Sequence, residues 1–318
     1  MLLSPLREIW YNGRMRNTIQ GPKVTWVDIQ NPTKEDVDFL RDTYQFHPLT
    51  LQDIIPPGLR TKVVIFPGYF FFILQYPVYD KQRKEIRPRE LDVIVTKNAI
   101  VTTRYNTIVP MKALFDKCNL YEEDREEYMG RGAGYLLFHI LEQCWESCFT
   151  KLARINEELN KIEEGIFQSK EKEMIYEISL AKTDIINFWR IVDPQQEILE
   201  TLKKEGPRFL GQELAPYFSH ILSDYRHVRN DLRMYEDAIR ALEETTNSLL
   251  TTKMNEIIKT LTIFSVSVLP LTLLAAIFGM NTQYLPFMGL PGDFWIIAGI
   301  MISGIFGVIF YFKKRKWI

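Results

Sequence analysis

The hydrophobic pattern is strongest near the C-terminal end of the chain. Two uncharged apolar runs, Leu261–Phe278 and Phe294–Phe312, lie on either side of a short loop. As helices of 18 and 19 residues, each would rise about 27 Å, close to the hydrocarbon thickness of a bilayer. The runs therefore predict two membrane-spanning helices joined as a hairpin.

Basic residues flank this hairpin on one side only. Lys259 precedes the first run and Lys313-Lys314-Arg315-Lys316 follows the second, whereas the connecting residues 282–293 include no Lys or Arg. Cytoplasmic flanks carry the excess of Lys and Arg in membrane proteins. The N-terminal residues also lack the apolar segment of a signal peptide. We therefore expect a cell-membrane protein with both termini in the cytoplasm.

The first 110 residues alternate between strand-like and helix-like patterns. A capping box at Thr33 and Asp36 opens a helix whose apolar face carries Val37, Leu40 and Tyr44. Segments rich in β-branched and aromatic residues predict strands at Val24–Val27, Val63–Phe66, Tyr69–Leu74, Leu91–Val95 and Ala99–Thr103. The pattern predicts a cytoplasmic α/β domain over residues 1–131.

From about Gly132 the pattern is helical. One amphipathic helix is predicted to about Ile162, and a second begins at Ser169-Lys170-Glu171-Lys172 and ends before Gly206-Pro207. These segments predict an antiparallel helical pair over residues 132–212.

A third helical stretch begins near Glu213 and contains no proline from Tyr217 through Leu269. It predicts a stalk helix over 213–260 that continues unbroken into the first membrane span, 261–281. An external loop over 282–293, a second span over 294–312 and a basic tail over 313–318 complete the chain. A helix of over 60 residues, on the order of 100 Å long, cannot bury an apolar stripe alone. We therefore expect a homo-oligomer.

Composition excludes several other classes of protein. The net charge of −1 and pI near 6.5 give no broad basic face for nucleic acid. An odd number of cysteines, Cys118, Cys144 and Cys148, argues against a disulfide framework and favours reduced thiols. The soluble part offers no convincing nucleophile, metal-ligand cluster or phosphate loop. We therefore expect neither an enzyme nor a bound cofactor.

Alternating spacings of three and four along the first span select one stripe that includes four polar residues. Its members are Asn255, Ile258, Thr262, Ser265, Leu269, Thr272, Ala276 and Met280. Small hydroxyl residues in membrane helices often mediate helix packing, so this stripe alone is open to that interpretation. The adjoining Gly279-Met280-Asn281 favours a pore, because Gly279 lets the helix stop and Asn281 can present an amide carbonyl toward the axis of an oligomer.

Neutral oxygens suit a hydrated divalent cation. Mg²⁺ sheds water reluctantly and usually keeps several waters when bound, so a ring of Asn carbonyls can hold the hydrated ion. A membrane potential of 100 mV supplies about 2.3 kcal/mol per charge, or roughly 4.6 kcal/mol for a divalent ion. Uptake through such a pore needs no other source of energy.

The chain resembles the CorA family of divalent-cation channels and transporters over most of its length. The segments that carry the resemblance near the membrane are 255–262, Pro270-Leu271-Thr272, Phe278-Gly279-Met280-Asn281 and Tyr311–Trp317. Those in the soluble part are Trp26–Ile29, His47-Pro48-Leu49, Asp53-Ile54 and Leu91–Asn98.

The resemblance implies a funnel-shaped homopentamer whose long helix lines the pore. Asn281 would form the outer selectivity ring and Asn255 a polar ring at the cytoplasmic end. Ile258, Leu261 and Leu269 would form a hydrophobic constriction, which can gate by dewetting.

Two features depart from the family's magnesium channels. Gln283 stands where a loop glutamate often concentrates cations, and Phe278 replaces the usual Tyr of the signature. Asp53 matches one acid of the family's intracellular Mg²⁺ sensor, but its partner position is His220. A neutral His beside Asp suits zinc better than Mg²⁺, or forms a pH-responsive ion pair.

The leading hypothesis is potential-driven transport of divalent cations, with Mg²⁺, Co²⁺ or Ni²⁺ as cargo. A ZntB-like zinc transporter, coupled to protons, is the alternative, although neither span contains an ionisable residue suited to a proton relay. A membrane-anchored scaffold is a third hypothesis, and the polar stripe argues against it.

Overall fold

The computed structural model describes residues 15–58, 60–83, 85–168, 170–280, 286 and 292–315. The chain divides into two compact units, Met1–Glu243 and Glu244–Ile318. The first unit contains a six-stranded sheet and the helices around it. The second contains two helices with long apolar stretches.

The sheet has the strand order β1-β2-β6-β5-β4-β3. Among the described strands, β2 and β6 pair in parallel and the other neighbours pair antiparallel. The strands are β1 (Met15–Gln20), β2 (Thr25–Gln30), β3 (Lys62–Phe66), β4 (Tyr69–Asp80), β5 (Glu85–Val95) and β6 (Ala99–Arg104). The five predicted strands are present, β4 and β5 being longer than predicted, and β1 is an edge strand that the pattern does not predict.

One face of the sheet is covered by two short helices, α1 (Lys34–Tyr44) and α2 (Pro48–Ile54). The capping box of α1 is confirmed: the Asp36 amide donates to the Thr33 hydroxyl and the Thr33 amide to the Asp36 carboxylate. Leu40 of α1 and Ile54 of α2 are fully buried in the core on this face. The sequence pattern does not predict α2.

The opposite face packs against helices that follow the sheet in sequence. Trp26 of β2 contacts Phe115 edge to face, with ring centroids 4.9 Å apart, and Phe70 of β4 contacts Phe209 at 5.0 Å. The helices of this part are α3 (Val109–Leu120), α4 (Glu122–Met129), α5 (Ala133–Phe167), α6 (Glu171–Val192) and α7 (Gln196–Leu210). The pattern does not predict α3 and α4.

The prediction of two helices between Gly132 and Gln212 is wrong. A 3₁₀ turn, Asp193–Gln195, separates α6 from α7, because Pro194 has no amide hydrogen for the α-helical bond. The predicted end before Gly206-Pro207 is also wrong, since α7 continues to Leu210. A Cβ on Gly206 would lie 2.7 Å from the Phe218 ring, so this glycine is used for close helix packing. The first helix of the region also runs beyond Ile162, to Phe167.

The prediction of an unbroken helix into the first span is confirmed. Helix α8 runs from Ala215 to Phe278, 64 residues, with Pro270 inside it. It begins slightly later than Glu213 because Gln212–Leu214 form a 3₁₀ turn. Helix α9 runs from Asp293 to Lys314. Both α8 and α9 contain stretches long and apolar enough to cross a membrane, as the two apolar runs predict.

Candidate ion pathway on helix α8

The predicted stripe lies on the second half of α8. Its members from Asn255 to Ala276 are all helical, and Gly279 and Met280 follow directly in a turn. Asn281 and Gln283, together with most of the loop over 282–293, lie outside the described residues. The geometry of the outer ring therefore stays a prediction.

The stripe faces away from the most shielded side of α8. At 100° per residue, its members cluster within about 100° of one another around the helix. Most half-buried residues of this part of α8 lie roughly opposite: Lys259, Ile263, Ser267, Leu271, Leu274 and Phe278. Thr262 and Ser265 of the polar stripe are half-buried as well. Helix α9 has its own less exposed stripe, Ile297, Ala298, Met301, Ile305, Val308 and Phe312. The polar stripe therefore lies mainly on the less shielded side of α8, which leaves its exposed members for another contact.

The hydroxyl groups of the stripe are held against the helix backbone. Thr262 Oγ1 donates to the carbonyl of Ile258 at 2.7 Å, and Thr272 Oγ1 donates to that of Val268 at 3.0 Å. Because each hydroxyl hydrogen is used within the helix, the oxygen presents its remaining lone pairs outward. Such oxygens accept hydrogen bonds from water, including the water shell of a cation.

Bulky apolar side chains separate these polar positions. Ile258, Leu261 and Leu269 are 53%, 62% and 67% exposed in the single chain. Leu261 and Leu269 lie in the apolar run of the span, where lipid can cover them, so their exposure alone does not require a protein partner. In an oligomer with α8 around a common axis, the three side chains would narrow the path at separate levels.

Helix α8 ends where the glycine of the signature predicts. The amide of Gly279 donates to the carbonyl of Ala275 at 2.9 Å, and that of Met280 to Ile277 at 3.2 Å. No residue from Leu261 to Met280 is acidic or basic. Any cation on this path would meet neutral oxygens and its own water, not a carboxylate.

The structure does not join the two predicted sensor residues within one chain. The Asp53 carboxylate pairs with Lys62 and with Arg60, at 3.3 Å for the latter. His220 on α8 lies 3.6 Å from Asp224. Within the described residues no contact links Asp53 to His220, so their joint role between subunits stays a prediction.

The burial of two acids in the sheet, Asp28 and Asp92, is not predicted from the pattern. Asp28 forms a buried ion pair with Arg104 at 2.8 Å, and it also accepts from Thr102. Asp92 accepts from Thr103 at 2.6 Å, while its other oxygen has no hydrogen-bond partner in the described part of the chain. The sequence does contain a signal, because an acid within an apolar strand, as in Leu91-Asp92-Val93, must be buried.

Replacing Asp92 with asparagine is expected to weaken the pH dependence of stability. Burial raises the pKa of Asp92 well above its ordinary value, and the charges of Glu90 and Asp53 add to this. Above about pH 4 the unfolded chain ionises Asp92, whereas the raised pKa keeps the proton on the folded chain to a higher pH, so the free energy of unfolding falls as pH rises through this interval. Asparagine keeps an acceptor for Thr103 but cannot ionise.

Urea unfolding of the full-length protein in detergent, measured across this pH range, checks that expectation. The Asp80→Asn variant is the control: backbone hydrogen bonds from Arg83 and Gln82 lower the pKa of Asp80, so its contribution has the opposite sign. An unchanged slope in Asp92→Asn would show that Asp92 is ionised in the folded protein.

Other metal-binding chemistry has little support in the soluble unit. No group of three or more His, Cys, Asp or Glu that could hold a metal ion occurs among the described residues. Cys118, Cys144 and Cys148 are free and buried, and burial raises the pKa of Cys148 to about 12. His139 lies 3.1 Å from Glu142.

The chain combines a six-stranded sheet and its helices with two helices that are long and apolar enough to cross a membrane. Residues 22–314 match the sequence model of the family described as CorA-like Mg2+ transporter protein, so the chain belongs to the CorA family. The prediction from the sequence motifs is thereby confirmed.

Related proteins support this assignment over nearly the whole chain. The cobalt/magnesium transport protein CorA of Thermotoga maritima is 28% identical over 298 residues, which are 92% of this chain and 83% of that protein. The complete structure of the CorA magnesium transporter from Methanocaldococcus jannaschii matches with a TM-score of 0.82 at 22% identity, covering 93% of this chain and 92% of that one.

A more distant likeness concerns the soluble part. The cytoplasmic domain of ZntB from Vibrio parahaemolyticus matches with a TM-score of 0.61 at 13% identity, covering 74% of this chain and 90% of that domain. At this identity the likeness concerns the fold alone.

Proposed function

We propose that the protein transports divalent cations, mainly Mg²⁺, across a cell membrane through a pore lined by α8 in a homo-oligomer. The observation that carries this proposal is the polar stripe of α8, which runs through the uncharged stretch Leu261–Met280 and lies mainly on the less shielded side of the helix. Membership of the CorA family and the names of its relatives as cobalt/magnesium transport proteins support it.

The neutral lining fits an ion that crosses with its water. Thr262 and Thr272 present oxygens that accept from water, and stripping Mg²⁺ of its shell is costly. The path therefore holds the ion loosely, which permits release as well as entry. A resident cofactor is not part of this scheme, because the membrane potential supplies the driving energy.

The oligomer is proposed because one α8 cannot enclose a path. The hydroxyl oxygens on this side of α8 find no hydrogen-bond donor in lipid, so the side is better placed against water or another helix. A closed ring of identical subunits places the same stripe of every subunit at the axis. Five subunits is the number implied by the resemblance, and native mass spectrometry of the purified protein tests it.

The proposed topology places both termini in the cytoplasm. Lys313 and Lys314 end α9, and Lys259 lies on the shielded stripe of α8, so basic residues mark the same side for both spans. The soluble unit then lies in the cytoplasm, and cation entry follows the inside-negative potential.

Uptake into proteoliposomes that contain separate dyes for Mg²⁺ and Zn²⁺ tests the function. We expect Mg²⁺ to enter under an inside-negative potential, without a pH gradient. Zn²⁺ entry that requires a pH gradient would favour the zinc alternative and contradict the proposal. Absence of both fluxes under every gradient would favour a membrane-anchored scaffold.

A further inference from the structure

A cavity of about 670 Å³ opens in the soluble unit where four connections meet. Lys23 comes from the β1–β2 turn and Lys97 from the β5–β6 turn. Arg131 precedes α5, and Arg208 lies near the end of α7. The volume is in the range of small-molecule sites, roughly 300–1,000 Å³.

The charges around this cavity are strongly unbalanced. Its lining has four cationic side chains, Lys23, Lys97, Arg131 and Arg208, against one carboxylate, Glu213. Arg208 pairs with Glu205 at 3.0 Å. The other three cations form no ion pair within the described part of the chain. These three cations against the one carboxylate of Glu213 leave an excess of two positive charges around one concave space, which favours an anionic occupant.

The start of α5 adds hydrogen-bond donors to the same wall. Its N-cap is Gly132, with φ of 107° and no side-chain cap. Ala133 and Gly134 are buried, and their amides have no acceptor among the described residues. Uncapped amides at the positive end of a 35-residue helix would donate to an anion placed there.

Close backbone contacts fix the shape of the cavity. A Cβ on Gly21 would lie 2.7 Å from Met129 Cβ, and one on Gly134 would lie 2.0 Å from a Leu214 methyl group. The Thr25 amide also donates to the Asn98 carbonyl at 2.9 Å, which joins the two strand turns. The four connections are therefore held together by packing and not by the charges they carry.

One of the cations is also oriented before any ligand binds. The Arg131 guanidinium lies 3.7 Å from the centre of the Tyr135 ring and donates to the Tyr135 hydroxyl at 2.7 Å. Stacking on an aromatic ring restricts the side chain, so less freedom is lost when it binds an anion.

We propose that this cavity binds a polyphosphate chain, such as that of a nucleoside triphosphate. The cations lie on separate parts of the cavity wall, so several linked phosphates could contact more of them at once than a single phosphate could. A single phosphate would also fill only a small part of the volume. Both the guanidinium group of Arg and the ammonium group of Lys form charge-assisted hydrogen bonds with phosphate oxygens. The proposal is independent of the transported ion.

Calorimetric titration of the full-length protein in detergent, free of divalent ions and at about 0.15 M salt, tests the site. Sodium tripolyphosphate, ATP and inorganic phosphate are the probes. The test variant is Lys97→Gln/Arg131→Gln. The matched control is Lys81→Gln/Arg226→Gln, which removes two exposed charges of the same kinds outside the cavity lining.

We expect tripolyphosphate and ATP to bind with similar affinity, and inorganic phosphate at least roughly tenfold more weakly. The test variant should raise the Kd for tripolyphosphate about tenfold or more, since two charge-assisted contacts are lost, and the control should leave it unchanged. Equal weakening in both variants, equal affinity for inorganic phosphate, or no saturable binding would each overturn the proposal. Circular dichroism of both variants verifies that they are folded.

Discussion

Replacing Asn281 with alanine is expected to reduce Mg²⁺ uptake at least roughly tenfold at low ion concentration, while the protein still assembles. In the proposed pore, Asn281 supplies the ring of amide carbonyls that accepts from the water shell of the ion at the outer end. Alanine removes that oxygen and leaves a wider, apolar entrance. Dye-detected uptake into proteoliposomes under a fixed potential measures the effect.

The matched control for this experiment is Asn119→Ala. It is the same chemical change on α3, far in sequence from the spans, and it should leave uptake unchanged. Size-exclusion chromatography of both variants verifies that the oligomer is retained. Wild-type uptake in an assembled Asn281→Ala protein would contradict a role for this residue in selecting the ion.

Replacing Arg104 with methionine is expected to cost about 3–5 kcal/mol of stability, because a buried carboxylate loses its partner. Arg104 and Asp28 are 3% and 2% exposed, and the guanidinium donates two hydrogen bonds to the carboxylate, at 2.8 and 3.2 Å. In the variant, the charge on Asp28 has no cation in contact. Urea unfolding at neutral pH measures the loss.

Two further variants test whether the loss of stability comes from the buried Asp28–Arg104 ion pair. Arg41→Met removes an arginine that pairs with two exposed acids on α1, and it should cost much less stability than Arg104→Met because water screens exposed ion pairs. The double variant Asp28→Asn/Arg104→Met removes both buried charges and should recover part of the loss. A cost for Arg104→Met no larger than that of Arg41→Met would show that the buried pair contributes little.

The membrane part is the most predictable from the sequence. Each span is one uninterrupted apolar run, and the absence of proline from Tyr217 through Leu269 predicts the continuity of α8 without any tertiary information. The stripe of Thr262, Ser265 and Thr272 follows from helical spacing alone. Which side of α8 is more buried cannot be read from helical spacing. It depends on the packing of other parts of the protein against the helix, which the structure shows.

The soluble part is less predictable because tertiary contacts decide its details. Helix α7 continues through Gly206-Pro207 since Gly206 lies against the Phe218 ring, a residue of the following helix. Strand β1 is an edge strand with mostly exposed side chains, so it has no strong apolar alternation. Helix α4 is largely acidic and has almost no apolar face.

The basic cavity is not predictable from a linear pattern. Three of its cations lie singly in separate connections and the fourth, Arg208, lies near the end of α7, so none of them forms a motif in the sequence. Close packing of Gly21 on Met129 and of Gly134 on Leu214 brings these cations to the same cavity. Residues in contact through the fold, with no motif of their own, are visible only in the structure.

Thiol accessibility along α8 tests the central claim most directly, namely that its polar stripe lines the ion path. The native cysteines are buried, so a charged, water-soluble thiol reagent will react mainly with introduced ones. The account predicts that the reagent blocks Mg²⁺ uptake in Ser265→Cys and Thr272→Cys, but not in Phe264→Cys and Ile277→Cys, which lie on other sides of the helix. Equal block at all four positions, or block only at the last two, would contradict it.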